Sequence, residues 1–239
     1  NRISAGEQRS DYGPAKLVIK GAVLLFLVVT GIVCPRILTE GFFFSVGPVR
    51  VYQVIWAAAI IYLINRLTPK GGRKIASTKC FDKTADTDTT VTAGQKSAFF
   101  RLRKNADRGA LHTALSWTAV IGAAGILHRA ELVTTLWLFV IVMFFIFMDQ
   151  FCITVWCPFQ WLMKNKCCAT CRINNWGYLM AFAPLLYIPS FWTYSVLVVS
   201  AALVVQWEYL YYRYPERFYE AYNKNLACAR CREKKGCRR

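Results

Sequence analysis

The feature that most constrains this chain is a series of long apolar blocks with charged segments between them. Crossing the hydrocarbon core of a bilayer, about 30 Å thick, takes roughly 20 mostly apolar helical residues. Helices also satisfy their own backbone hydrogen bonds, which lipid cannot do. The pattern therefore predicts an all-α, polytopic transmembrane helical bundle. Its apolar blocks are 17–33, 51–64, 110–127 and 132–148, followed by a longer stretch at 176–212.

The stretch 176–212 is too long for one spanning helix and too short for two helices with a real loop. Pro189 and Ser190 lie in its interior, and a proline inside an apolar run ends or bends a helix. We therefore expect a tight hairpin that turns there, which gives about six spans. The first block is not expected to be a cleavable signal peptide, because its apolar run is too long and no small-residue cleavage site follows it.

The distribution of charge predicts which side each end occupies. The chain has 30 Lys and Arg against 13 Asp and Glu, and six spans leave only Arg36, Arg50 and Arg129 on the minority side. Basic loops stay inside during insertion, so both termini are predicted to be cytoplasmic. We expect a bacterial or archaeal cytoplasmic membrane, and a mitochondrial inner membrane would fit the same rule. Anionic lipid accounts for the basic face, and no nucleic-acid-binding pattern accompanies it.

These spans divide the chain into six predicted segments. The third block is rich in small residues, including Gly122 and Gly125, and is predicted to be central in the bundle because small residues allow close helix approach. The fourth is bulky and aromatic and is expected to face lipid. The segments are 1–65 with two spans, 66–108 as a basic loop, 109–150 with two spans, 151–175 as a cysteine-rich loop, 176–212 as the hairpin, and 213–239 as a basic cysteine-rich tail.

Ten cysteines form the strongest functional signal, and the predicted topology puts all but Cys34 on the cytoplasmic side. Thiols there stay reduced, so metal binding or redox chemistry is more plausible than a disulfide framework. Two groups contain a Cys-x-x-Cys pair, and the hairpin would return both to one membrane face. A tetrahedral four-thiolate site suits zinc or an iron–sulfur cluster. The groups are Cys167, Cys168 and Cys171, and Cys228, Cys231 and Cys237.

Cys152 and Cys157 form a further pair at the inner end of the fourth span. Positions five apart do not share a helix face, but Pro158 predicts that the helix ends or bends here, so both thiols could turn toward one site. Two four-thiolate sites would use all eight clustered cysteines, and one site would use half. Cys34 and Cys80 are given no role. The preferred ligands are Cys157, Cys168, Cys171, Cys228 and Cys231, with Cys152, Cys167 and Cys237 as further candidates.

The segment 152–160 carries Cys-Pro-Phe at the inner end of a span. It resembles the Cys-x-x-x-Cys-Pro motifs of membrane ferredoxin-like proteins of the NapH and NosR type. Those proteins also carry cysteines at the cytoplasmic ends of spans and in a C-terminal tail. Here four residues separate Cys152 from Cys157, and the tail has no full ferredoxin repeat. The resemblance implies electron transfer through iron–sulfur centres.

Three functions remain open at this point. The first is an electron-transfer membrane subunit with iron–sulfur clusters, passing electrons between a soluble donor and a quinone or partner subunit. The second is a membrane scaffold or assembly subunit with a structural zinc site, and the third is a membrane thiol enzyme or metal-handling protein. Eight grouped cysteines exceed the need of one zinc, which favours the first. No catalytic residue is assigned, because no phosphate-binding glycine loop or Ser-His-Asp set is evident.

Overall fold

A computed structural model describes residues 12–68, 93–159 and 171–219, together with Tyr222, Asn223 and Leu226. These residues form an all-α architecture, as predicted. Two strands of two residues each, β1 (Ser45–Val46) and β2 (Val49–Arg50), pair in antiparallel fashion. The turn between them contains Gly47, whose φ of 63° is readily adopted by glycine. The helices are α1 (Tyr12–Val33), α2 (Pro35–Phe43), α3 (Val51–Leu67), α4 (Ala93–Arg129), α5 (Thr135–Thr154), α6 (Arg172–Phe182) and α7 (Phe191–Arg213), with 3₁₀ turns at Ala183–Tyr187 and Pro215–Phe218.

Four helices in the described part of the chain are long and apolar enough to cross a bilayer. They are Pro14–Val33, Lys96–Arg129, Thr135–Cys152 and Phe191–Arg213. The helix α3 is apolar but has 17 residues, at the lower limit for a span. Large apolar side chains such as Val18, Phe26 and Ile126 are exposed along these helices. Such surfaces fit a membrane protein, whose solvent is lipid.

The helices α1 and α5 pack side by side in opposite directions. Lys20 in the first half of α1 donates a hydrogen bond to Gln150 Oε1 near the end of α5, at 3.3 Å. Near the end of α1, a Cβ at Gly31 would lie 3.9 Å from the Leu136 side chain at the start of α5. The two helices are therefore antiparallel along their whole length.

The helices α3 and α7 form a second pair, and these two run parallel to each other. The indole of Trp56 in α3 donates to Ser195 Oγ near the start of α7, at 2.7 Å. Near the other end, the Gln206 amide donates to the Leu67 carbonyl at 2.9 Å. Together with the pairing of α1 and α5, these contacts place the start of α1 and the ends of α3, α5 and α7 at the same end of the bundle.

Where a hairpin was predicted within 176–212, the structure has two helices with a break between them. The helix α6 continues into the 3₁₀ turn Ala183–Tyr187, and α7 begins at Phe191. Ser190 caps α7, accepting a hydrogen bond from the Trp192 backbone N–H at 3.3 Å. Pro189 and Ser190 therefore lie in the turn, as expected from the sequence. The two helices run back along each other, so α6 begins at the end of the bundle where α7 ends.

The predicted placement of the third and fourth apolar blocks is wrong. It is α5, the bulky helix, that packs against α1, α6 and the 3₁₀ turn, with Leu138, Val140 and Val142 buried. The helix α4 is more peripheral and exposes Leu115 and Ile126. Small side chains permit close approach only where a neighbour uses them. Bulky side chains fill the space among several helices, and those of α5 fill it here.

Candidate functional site

The cysteine end of the bundle is the end at which α5 stops and α6 starts. The helix α5 ends at Thr154, where the Val155 N–H still bonds to the Phe151 carbonyl at 2.8 Å. Cys157 precedes Pro158, and a residue before proline is disfavoured in helical conformation. The chain has therefore left the helix when it reaches Cys157, whose side chain is only 6% exposed. The expected end of the helix near Pro158 is confirmed.

Three of the predicted site cysteines line one cavity of about 190 Å³ at this end. Cys152 comes from the last turn of α5, Cys157 from the segment after it, and Cys171 from the residue before α6. Cys171 is 6% exposed and packs with Ala110 and Met180. None of the three thiols is in a disulfide. The structure thus brings together cysteines that the sequence separates by up to 19 positions.

The remaining predicted ligands, Cys167, Cys168, Cys228, Cys231 and Cys237, lie outside the described residues, as does Cys80. Within the ranges that are described, no group of three or more His, Cys, Asp and Glu side chains is arranged to hold a metal ion. The metal centre therefore stays a prediction. Cys34, given no role, lies between α1 and α2 at the other end of the bundle.

Sequence reasoning missed two polar residues of the cavity wall, Asp149 and Trp117. A Cβ built at Gly177 would lie 3.0 Å from Asp149 Oδ1, so the absence of a side chain there leaves room for the carboxylate. The Trp117 ring meets the Phe145 ring edge-on, with centroids 4.4 Å apart. A signal for Asp149 existed, since it is the first charge after the apolar block 132–148. Nothing in the local sequence of Trp117 marks it.

The C-terminal segment returns to the cysteine end. Leu226, two positions before Cys228, is 5% exposed and belongs to a buried cluster that includes Tyr211 and Phe218. The guanidinium of Arg172 lies over the Tyr211 ring, 4.7 Å from its centre. Arg172 directly follows Cys171 in the chain. The last described residue before the tail cysteines therefore shares a buried cluster with Tyr211, the residue that Arg172 of α6 contacts.

Arg172 joins three helices beside the cavity. Its Nε donates to Glu208 of α7 at 2.8 and 2.9 Å, its Nη2 also bonds Glu208, and its Nη1 donates to Asp107 of α4 at 2.7 Å. The Trp176 indole adds a bond to Glu208 at 2.7 Å. Burial opposes the charge of Arg172, but its hydrogen bonds and attraction to Glu208 raise its pKa above the ordinary value. The Arg172 guanidinium therefore stays charged at any physiological pH.

An aromatic cluster links the first turns of α4 to the segment after α7. The Phe99 ring packs edge-on against Tyr219 and Tyr222, at centroid distances of 4.7 and 5.0 Å. The Tyr219 hydroxyl lies 3.2 Å from that of Tyr211. Burial, aided by the negative charge of Asp107, raises the pKa of the Tyr219 phenol. The phenol is therefore neutral and remains a hydrogen-bonding group.

The cysteine end thus combines three thiols, one carboxylate and an indole around an apolar cavity, next to a charged cluster that ties α4, α6 and α7. Thiols in such surroundings can bind soft metal ions, and an apolar cavity can bind an apolar ligand. No family model, curated protein sequence or solved structure matches this chain.

Proposed function

We propose that this protein is an integral membrane electron-transfer subunit that carries one or two cysteine-ligated iron–sulfur clusters on its cytoplasmic face. The observation that supports this best is the convergence of Cys152, Cys157 and Cys171 on one cavity. The burial of Leu226 at the same end of the bundle supports it further, because Cys228 follows two residues later. Electrons would pass between a soluble donor and a quinone or partner subunit.

The proposed topology has six spans with both termini cytoplasmic. The antiparallel pair α1 with α5, the parallel pair α3 with α7 and the turn between α6 and α7 favour it. The helix α3, with 17 residues, and α6 with its 3₁₀ extension, with 16, would be the two short spans. The basic residues favour the cysteine end as the inner one. The membrane would be a bacterial or archaeal cytoplasmic membrane, with the mitochondrial inner membrane as the alternative.

The ligand set that suits one cluster is Cys168 and Cys171 with Cys228 and Cys231. Four thiolates give a cluster net negative charge, and nearby cations stabilise it. Arg172 is such a cation, although Glu208 and Asp107 already compensate much of its charge. When bound, the cluster would supply one-electron redox chemistry. The protein would supply the thiolates, the apolar surroundings and a fixed position at the membrane surface.

A structural zinc site is the second candidate. The ion cluster of Arg172 already ties three helices together at the cysteine end, so a structural role for the neighbouring thiols fits this place. A closed four-thiolate zinc site would hold the tail against the hairpin and add folding free energy. In that case the chain would be a scaffold or assembly subunit. A site that holds metal only transiently would instead fit a thiol enzyme or a metal-handling protein.

One purification separates these functions. The full chain is purified without oxygen, and iron, acid-labile sulfide, zinc and the absorption at about 400 nm are measured. Iron with equimolar sulfide and a brown colour supports the proposal. Stoichiometric zinc in colourless protein overturns it in favour of the scaffold, and metal-free protein with titratable thiols favours the third class.

Matched variants then locate the centre. Cys171→Ser and Cys231→Ser are expected to lose most of the iron, because each removes one of four ligands. Cys34→Ser lies at the other end of the bundle and is the control, expected to keep the full metal content. Iron retained in both ligand variants would contradict the assignment of these cysteines.

A further inference from the structure

The cavity at the cysteine end is large enough for a small ring-shaped molecule, and it is larger than a metal ion needs. Its volume is about 190 Å³, and an apolar cavity of roughly 150 Å³ binds benzene. Phe145, Met148, Met180 and Ala181 give it an apolar wall. The cavity therefore favours a planar, mainly apolar ligand.

Two polar groups on the wall narrow the class of ligand. The Trp117 indole nitrogen is buried and has no hydrogen-bond partner among the residues described. A buried donor without a partner is costly, so a ligand oxygen that accepts from it would be favoured. The Asp149 carboxylate can accept a hydrogen bond from a ligand hydroxyl. A ring with carbonyl oxygens, or hydroxyls in its reduced form, matches both groups.

The position of the cavity indicates how such a ligand arrives. Its walls come from α4 and α5, which are long and apolar enough to span a bilayer, and from α6. A ligand that is dissolved in lipid can reach such a site without crossing water. Among biological rings with paired oxygens, the lipid-soluble class is the quinones.

We propose that this cavity binds the ring of a quinone, with the Trp117 N–H donating to one ring oxygen and Asp149 facing a hydroxyl of the reduced form. The role of the ring as an electron carrier rests on the proposed function, whereas the binding itself does not. Three thiols of the candidate metal ligands, Cys152, Cys157 and Cys171, lie on the wall of the same cavity. A centre held by them would be next to the ring.

The test uses tetramethyl-1,4-benzoquinone and the full chain in lipid nanodiscs. This quinone has no unsubstituted ring carbon, so the cavity thiols cannot add to it. Bound quinone is measured by ultrafiltration and absorbance, and 1,2,4,5-tetramethylbenzene serves as the ring without oxygens. The expected result is saturable binding of one quinone per chain, with the hydrocarbon binding about tenfold more weakly because it accepts no hydrogen bond.

Three variants locate the site. Trp117→Phe is expected to weaken quinone binding about three- to tenfold and to leave hydrocarbon binding unchanged. Trp137→Phe, the same substitution near the far end of α5, should change neither. Ala181→Leu should fill the cavity and abolish the binding of both probes, while its unfolding temperature shows that it still folds.

Binding that does not saturate would overturn the proposal. So would equal affinity for both probes, or a Trp117→Phe variant that binds like the wild type. Failure of the proposed function is distinguishable from these outcomes. The Cys231→Ser variant, expected to lack iron, should still bind the quinone. Protein that has no iron but binds the quinone with this specificity keeps the site and loses the electron-transfer role, and brown protein that does not bind it loses only the site.

Discussion

Arg172 shows how much of this fold depends on one side chain. It contacts a carboxylate on α4, a carboxylate on α7 and the ring face of Tyr211 while remaining only 21% exposed. Removal of one partner from a buried ionic group leaves the others desolvated without compensation, which costs more than the pair contributes when intact.

The substitution Arg172→Met is expected to lower the free energy of unfolding by roughly 2–3 kcal/mol, below the value for a fully buried pair because Asp107 is nearly half exposed. Thermal unfolding in detergent micelles measures it. Arg213→Met is the control, since Arg213 lies at the exposed end of α7 and stacks only on Tyr214 among the contacts described. Equal stability of both variants would contradict the structural role of the ion cluster.

A second residue-scale prediction concerns two glycines of α4. A Cβ at Gly125 would overlap the Tyr187 ring, whose hydroxyl donates a hydrogen bond to the Ile121 carbonyl at 2.8 Å. Gly125→Ala must displace that ring and should cost about 1–3 kcal/mol. Gly122→Ala meets no atom within 4 Å and should be neutral or slightly stabilising, by helix propensity. The difference in unfolding temperature between the two variants tests this, and its absence would refute the contact.

At this scale the sequence reveals residue types but not their partners. The cysteines at the end of α5 and before α6 were predictable because thiol spacing and Pro158 are local signals. The approach of Asp149 to Gly177 and the unpaired nitrogen of Trp117 were not, because each depends on which faces of α4, α5 and α6 meet. Such pairings are decided by packing over the whole bundle.

At the scale of elements, the largest difference from the sequence prediction is the start of α4. The helix begins at Ala93, within the segment 66–108 that was predicted to be a loop, and runs for 37 residues, or about 55 Å. The residues before the apolar block include good helix formers such as Lys96, Arg101 and Leu102, so the helix can continue past the lipid. About 25 Å of it exceeds the hydrocarbon core.

Phe99 should hold the segment after α7 against this extension of α4. In Phe99→Ala the rings of Tyr219 and Tyr222 lose their partner, and trypsin should cleave at Arg217 several-fold faster because local opening is easier. The neighbouring substitution Phe100→Ala is the matched control, since that side chain is largely exposed. Mass spectrometry of the early fragments measures both rates. Identical rates in the two variants would show that the aromatic contact does not hold this segment.

For the whole molecule, the described chain begins with α1 at the cysteine end and returns to that end after α7. The opposite end carries α2 and the β1–β2 turn. The sequence predicted the helical class and the break at Pro189. Four helices have the length for a span, whereas α3 and α6 are short, so their crossing depends on local thinning of the bilayer.

The orientation of the bundle can be tested with two introduced thiols in a Cys34→Ser background. Gly41→Cys in α2 and Ser97→Cys in the extension of α4 are both at exposed positions. In intact bacterial cells a membrane-impermeant maleimide should label Gly41→Cys fully and Ser97→Cys only after lysis, each relative to the background chain. The reverse pattern would invert the topology, and labelling of both in intact cells would exclude a membrane between them.

The end of α5 at Thr154 has a mechanical consequence for the cavity. Cys152 is fixed to a rigid helical rod, whereas Cys157 follows the point at which helical geometry is released. The spacing between their sulfur atoms is therefore set by the backbone torsions that follow Thr154, and not by helical geometry alone. A change in those torsions would alter the distance between the two thiols on the cavity wall while leaving the α5 backbone as it is.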